Sequence, residues 1–308
     1  MPRVLVVGSV NMDLIVRCRE IPRPGQTIHG EEFRTAPGGK GANQAVACAR
    51  LGARTTFVGR VGADDFGRRL KHGLAADGVD VEHLRADPEA ASGVALILLE
   101  EGGGNRIVVM GGANLRLGEE EVRLASGLMP TCQACLMQLE TPLSVVRGVA
   151  DAARELGVLT ILDAGAATAA AAEAGEPALV DVISPNESEA EALTGVPVRD
   201  LASARLAAER LREMGAGQVV VKLGAGGAYW LGREGDAHAP AFPIAPVDTT
   251  AAGDAFTAAL AIQLAEGCAM PEALRFANAA GALACLKLGA QPSMPTAREV
   301  AHLLARSG

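Results

Sequence analysis

The feature that most constrains this chain is a series of short apolar runs separated by segments of helical period. Val158–Leu162, Leu179–Ser184 and Gln218–Leu223 are mainly apolar, and the amphipathic patterns Leu143–Glu155 and Leu201–Met214 lie around them. A strand with one face in water alternates apolar with polar residues, whereas a near-continuous apolar run is covered on both faces. Such runs alternating with helices predict βαβ units, hence an α/β fold with a mostly parallel sheet covered by helices on both sides. Arg3-Val4-Leu5-Val6-Val7, running straight into Gly8, reads as the first buried strand.

Four segments break this rhythm. Met12–Val16, Thr27–Arg34, Val94–Leu99 and Arg106–Met110 are strand-like but do not alternate with helices, and Glu101–Asn105 reads as a turn between the last two. They predict a small, separate antiparallel sheet, which cannot bury both of its faces alone and so must cover a ligand cleft, a second copy of itself, or both. There is no internal repeat and no low-complexity linker, so 1–308 reads as one domain with an insertion at about 11–36 and 92–112.

A chain of 308 residues with 49% hydrophobic content can bury a sizeable core without disulfides. Its formal charge of −8 argues against a nucleic-acid or anionic-membrane surface. The apolar stretches Ala255–Leu264 and Ala277–Leu286 fall short of the roughly 20 residues a membrane-spanning helix needs. With no signal-peptide core at the N-terminus, the expectation is a soluble, cytoplasmic protein. Of the six cysteines, Cys18, Cys48, Cys132, Cys135, Cys268 and Cys285, only Cys132 and Cys135 have metal or redox spacing. Thr131–Met137 looks like a strand, on which residues three apart face opposite sides, so this pair reads as structural thiols.

Five stretches could carry chemistry. Asn11 and Asp13 follow the first strand, and in extended chain both side chains project the same way, where they could bind neighbouring hydroxyls of a polyol or simply cap a turn. Gly38-Gly39-Lys40-Gly41-Ala42-Asn43-Gln44 lets backbone approach a ligand closely and places Lys40 and Asn43 at a helix start. It lacks the glycine spacing and the Ser or Thr of a Walker A loop. In Asp248-Thr249-Thr250-Ala251-Ala252-Gly253-Asp254, the small residues Ala251, Ala252 and Gly253 open a long apolar helix, where successive amides can form an anion hole. Asp254 beside that hole is an acceptor placed for phosphoryl transfer to an alcohol, or else a carboxylate that favours the helix dipole. Asn186 and Glu189, three apart at another helix start, could hold hydrated Mg²⁺ or form a capping box. Lys222-Leu223-Gly224-Ala225-Gly226-Gly227 could touch a nucleotide or make a tight hairpin into Ala228–Leu231.

In this order and over essentially the whole chain, these motifs, with Leu139-Glu140 between them, resemble the ribokinase (PfkB) family of carbohydrate kinases. The resemblance implies a Rossmann-like core with a β lid, often a homodimer formed through the lids. It implies ATP-dependent phosphorylation of a sugar at its primary hydroxyl, ribose being favoured by the glycine-rich motif, Asn11, Asp13 and Glu140. Asn11, Asp13, Gly38, Gly39, Lys40, Asn43 and Glu140 would bind the sugar. Asp254 would be the base, and Ala251, Ala252, Gly253 and Asp254 the anion hole. Asn186, Lys222, Gly224, Ala225, Gly226, Gly227, Gly253 and Asn278 would line the ATP site, with Glu189 acting on Mg²⁺ through water. A K⁺ ion would take oxygens of Asp248, Thr250, Ala284, Lys287, Gly289 and Ser293.

Two places depart from the family pattern. Many ribokinases carry Asn-Pro-Ala-Pro where this chain has Asp163-Ala164-Gly165-Ala166, and Lys222 stands where Thr is frequent. The competing readings are a kinase of deoxyribose, a ketohexose or a nucleoside, a non-catalytic sugar- or nucleotide-sensing protein, and a purely structural protein on the same fold.

Overall fold

The computed structural model describes residues 1–102, 104–165 and 180–306. In chain order the first strands are β1 (Arg3–Val7), β2 (Asn11–Cys18), β3 (Glu32–Gly38), β4 (Arg54–Gly62), β5 (Leu84–Asp87), β6 (Gly93–Glu100) and β7 (Asn105–Met110). They are followed by β8 (Ala134–Gln138), β9 (Leu159–Asp163), β10 (Val182–Ser184), β11 (Gln218–Lys222), β12 (Ala228–Leu231) and β13 (Asp236–Ala239). The helices are α1 (Lys40–Arg50), α2 (Asp65–Ala76), α3 (Glu119–Leu128), α4 (Leu143–Leu156) and α5 (Glu187–Thr194), then α6 (Leu201–Glu213), α7 (Ala252–Ala265), α8 (Met270–Ala284) and α9 (Ala297–Arg306).

Nine strands form the main sheet in the order β13-β12-β11-β10-β9-β8-β1-β4-β5, parallel except for the β11–β12 and β12–β13 hairpins. Period-two alternation divides the core. Val4 and Val6 of β1 pack with α1, α7 and α8, whereas Leu5 and Val7 pack with α3, α4, α5 and α6. Each covering helix follows from its pattern. Val145, Val146, Val149, Ala150 and Ala153 put one stripe of α4 onto the sheet, and the Asp200 side chain caps α6 by accepting from the Ser203 amide. Helix α7 is apolar on all sides, and every residue from Asp254 to Ile262 is buried, because it runs between α1 and α8.

The chain leaves β1 toward β4 on one side and later returns to lay β8 on the other. Between β1 and β8 the winding reverses, and the crevice at the carboxyl ends of strands beside such a point is where open α/β sheets bind ligands. Gly41 closes that end tightly: a β-carbon there would lie 2.7 Å from the Ser9 amide nitrogen, so only glycine lets the start of α1 rest on the β1–β2 turn.

The smaller sheet has the order β3-β2-β6-β7. It differs from the sequence reading in two respects. It is mixed, since β2 runs parallel to β6 while β2–β3 and β6–β7 are antiparallel. A wholly antiparallel sheet is the expectation for local hairpins, but β2 and β6 are brought together across more than seventy intervening residues, including α1 and α2. The strand expected at Thr27–Arg34 runs instead over Glu32–Gly38, because pairing with β2 from Arg17↔Glu32 to Asn11↔Gly38 carries it directly into α1. Likewise the strand expected across Thr131–Met137 begins only at Ala134: a turn over Met129–Thr131 precedes it, Cys132 Sγ contacts the Leu128 carbonyl, and Cys135 is buried. All six thiols are free. The apolar run expected at Leu179–Ser184 contributes β10, while Leu179 and Ala166 lie outside the described residues. No described helix is long and apolar enough to cross a membrane.

Candidate active site

The carboxyl ends of β1, β8, β9, β10 and β11 meet the N-termini of α1, α5 and α7, and nearly all the motif residues gather there. At the centre is Asp254, 4% exposed in the first turn of α7. Its Oδ2 accepts from Asn43 Nδ2 at 2.9 Å and its Oδ1 from Gln44 Nε2 at 3.1 Å. Gln44 is oriented in turn by Gln138, whose Nε2 donates to its Oε1 at 2.7 Å. Burial raises the Asp254 carboxyl to about 6; the Lys40 ammonium and the two amide donors oppose that rise, and the charge of Asp163 adds to it.

Helix α7 starts with a cap that supplies no side-chain acceptor. Ala251 has φ 59°, the left-handed region, and is the one non-glycine residue with positive φ among the described residues. The Ala252 amide bonds to the Thr249 carbonyl and the Ala255 amide to the Ala251 carbonyl. The amides of Gly253 and Asp254 have no intrahelical acceptor, as is true of any first turn, and carry the positive end of the helix dipole.

Beside Asp254 lies a buried charge cluster. Asp163, fully buried at the end of β9, accepts at Oδ2 from Lys222 Nζ at 2.8 Å and from Thr257 Oγ1 at 2.9 Å. Its Oδ1 accepts from Lys40 Nζ at 3.2 Å, and Lys40 Nζ also stands 3.6 Å from Glu189 Oε1. Burial works against the Asp163 charge, but Lys222 and then Lys40 hold the acid well below the usual carboxylate range. Burial works against the Lys40 charge, but Asp163, Asp254, Glu189 and Glu140 outweigh it and hold the ammonium well above the usual lysine value. Gly165 makes room for this arrangement, since a β-carbon there would overlap Lys40 Cε.

On the side of the smaller sheet, Glu140 Oε2 accepts from the Lys40 amide at 3.2 Å and from the Ser9 hydroxyl. Asn114 Nδ2 donates to Asn11 Oδ1 at 2.8 Å and to the Val10 carbonyl, while its Oδ1 accepts from the Val10 amide, which fixes how Asn11 points. Asp13 lies on β2 opposite Ala36 and against Gly38; burial first, and then the charge of Glu140, raises its carboxyl to about 7. Gly39 caps α1. Asn43 Oδ1 is buried with no hydrogen-bond partner among the described residues.

On the opposite side, Asn186 caps α5, and the capping box is fully formed: Asn186 Oδ1 accepts from the Glu189 amide and Glu189 Oε2 from the Asn186 amide, each at 2.9 Å. The Lys222 amide bonds to the Pro185 carbonyl, so this cap is adjacent to the charge cluster. Gly224–Gly226 form a single 3-10 turn and Gly227 leads into β12. His238 Nε2 meets the Gly226 carbonyl at 2.7 Å, and Asn278 Nδ2 donates to the carbonyls of Ala239 and Pro240. Ala225 is at the exposed tip of this wall.

Behind Ala251, Asp248 ties two loops together. Its Oδ1 accepts from the amide and hydroxyl of Thr250, and its Oδ2 from the Gly289 amide at 2.8 Å. Burial is outweighed by these bonds, which hold the acid below its ordinary value. Ala284 and Lys287 join by a backbone bond at the end of α8, and Ser293 Oγ donates to the Ala290 carbonyl.

The motif reading assigned no site role to Gln44, Gln138, Asp163, Asn114 or Thr257. Gln44 lies inside the glycine-rich motif and Asp163 ends an apolar run, which are the signals available in the sequence. Asn114 and Thr257 offer none, because their roles come from tertiary placement alone.

The pfkB family carbohydrate kinase profile matches residues 1–297, and the chain belongs to that family. It is 39% identical to ribokinase of Haemophilus influenzae over 97% of each chain, and 32% identical to deoxyribokinase of Salmonella typhi over 95% of each. The structure of Arabidopsis thaliana ribokinase complexed with ribose and ATP superposes with a TM-score of 0.90 at 36% identity, covering 98% of both chains.

The left-handed Ala251 costs about 1–2 kcal/mol relative to an unstrained residue, part of which glycine recovers at its own entropic cost. Ala251→Gly is therefore expected to leave stability unchanged or raise it by up to about 1 kcal/mol in urea unfolding. A loss greater than about 1 kcal/mol would show that the cap is not strained.

Proposed function

We propose that this chain is an ATP-dependent kinase that phosphorylates D-ribose at its primary hydroxyl, giving D-ribose 5-phosphate and ADP. The observation that carries the reading is the Asp254 carboxylate, buried and held by two side-chain amides in the same first turn of α7 whose backbone amides are uncapped. In this scheme the primary hydroxyl oxygen attacks the γ-phosphorus while its proton passes to Asp254. The bond from the γ-phosphorus to the β–γ bridging oxygen breaks, and that oxygen leaves with ADP. The amides of Gly253 and Asp254, under the Ala251 cap and next to the Ala252 amide that bonds to Thr249, face the charge that develops on the transferring group.

Asn11, Asp13, Gly38, Gly39, Lys40, Asn43 and Glu140 form the sugar side of this scheme. Asn43 Oδ1, a buried acceptor with no partner among the described residues, suits a hydroxyl donor. Asn186, Lys222, Gly224, Ala225, Gly226, Gly227, Gly253 and Asn278 form the nucleotide side. Mg²⁺ would neutralise charge on the phosphates. Glu189 suits an outer-sphere contact to it through water, since its own oxygens already serve the Asn186 amide and Lys40. For K⁺, Asp248 with oxygens of Thr250, Ala284, Lys287, Gly289 and Ser293 is a hard-oxygen set, and Asp248 already draws the two loops together behind the α7 cap.

The smaller sheet supports a homodimer. Strand β7 is its edge, and Ile107, Val108, Val109 and Met110 are 54%, 58%, 56% and 46% exposed, an apolar edge that a monomer would leave open to aggregation. Sedimentation should find a dimer that Val108→Glu with Val109→Lys converts to monomer; a monomeric parent chain would remove the dimer.

The reading predicts ADP release with D-ribose and MgATP, faster than with deoxyribose, fructose or adenosine, and stimulated by K⁺ over tetramethylammonium. Asp254→Asn should cut turnover by about 10²-fold or more while ribose still binds. Turnover of another sugar ahead of ribose would reassign the substrate, and near-parental turnover by Asp254→Asn would refute the base.

A further inference from the structure

The two departures from the family pattern meet in space. Asp163 and Lys222 are 59 residues apart in sequence, yet β9, β10 and β11 are neighbours, and the carboxylate and ammonium stand 2.8 Å apart. Both are buried, at 0% and 7% exposure. A buried charge without its partner is costly, so Asp at 163 and Lys at 222 are one coupled feature. The pair is also aimed. Lys222 Nζ lies 3.6 Å from the point where a side chain on Gly253 would begin, which puts the ammonium beside the open amides of α7. The Asp163 oxygens hold it from behind, with Thr257 sharing Oδ2 and Lys40 on Oδ1.

We propose that Lys222 is a catalytic cation that touches the γ-phosphoryl group, and that Asp163 is the positioning residue that holds its ammonium against the α7 amides. The proposal rests on the kinase reading above. In that reaction the γ-phosphoryl group passes from the β–γ bridging oxygen to the sugar oxygen. Lys222 exchanges no proton; its fixed charge meets the negative charge spread over the equatorial oxygens. Asp163 serves both lysines, Lys40 toward the sugar and Lys222 toward the nucleotide. It thereby keeps two like charges fixed on either side of the transfer path.

The test removes the pair together, because Asp163→Asn alone leaves the Lys222 ammonium buried without its carboxylate, and Lys222→Thr alone leaves Asp163 to Lys40 and Thr257. Asp163→Asn with Lys222→Thr is expected to fold and to bind ADP within about twofold of the parent. It should bind the β,γ-imido analogue of ATP about tenfold more weakly, the scale of one lost charged hydrogen bond. Its kcat should fall by about 10²-fold. A double variant with parental kcat and parental affinity for the imido analogue would overturn the proposal, since a merely structural pair can be replaced as a unit.

A crystal structure of the unaltered protein with the imido analogue makes the same test should the variant not fold. Lys222 Nζ within about 3 Å of a γ-phosphoryl oxygen supports the assignment, and a separation beyond about 5 Å overturns it. The binding and crystallographic arms separate this proposal from the reaction itself. Should the parent chain turn over no sugar, the kinase reading falls, while a γ-phosphoryl contact to Lys222 would still stand.

Discussion

The arrangement depends on the burial of one carboxylate at the start of one helix. Asp254 is removed from water, and among the described residues the two side-chain amides of Asn43 and Gln44 are what bond to it directly. Both donors come from α1, so the bonds that satisfy Asp254 also fix α1 against α7, the two elements that carry most of the motif residues. An unsatisfied buried carboxylate would be far more costly than two ordinary hydrogen bonds are favourable, which makes this contact a strict condition on how the helices pack. Gln138 extends the condition to β8, and Gly41 extends it to the β1–β2 turn.

A second condition is charge balance. Lys40 and Lys222 stand among Asp163, Asp254, Glu189 and Glu140 with little water to screen them. Asp163 accepts from both ammoniums and remains ionised, whereas Asp254, which meets only neutral donors at hydrogen-bond distance, is raised toward neutrality. Two carboxylates in one site thus acquire different characters from their partners alone, the kind of division that separates an acceptor of protons from a fixed charge.

Much of this was legible in the sequence, for identifiable reasons. Runs such as Val158–Leu162 and Gln218–Leu223 gave β9 and β11 because strands covered on both faces need no polar residue, and the main sheet follows from their alternation with α4 and α6. The glycine-rich stretch at 38–44, the Asn186 and Glu189 pair and the small-residue stretch at 248–254 marked the three helix N-termini of the site. The parallel pairing of β2 with β6 was not legible, because no local pattern reports which distant strand will lie alongside. Nor was the bond between Asp163 and Lys222: each residue was visible as a departure, but their meeting depends on the order of β9, β10 and β11. Asn114 was silent for the same reason, as its effect on Asn11 arises only where the turn after β7 meets the β1–β2 turn and the start of β2.

The central claim is that Asp254 must be ionised to take the proton of the attacked alcohol. The most direct measurement is the pH dependence of kcat with D-ribose and saturating MgATP. Because burial raises this carboxyl to about 6, the account predicts a full rate above that pH and a rate that falls tenfold per pH unit below it. A kcat that stays flat from pH 7.5 down to about 4.5, while the protein remains folded, would contradict it.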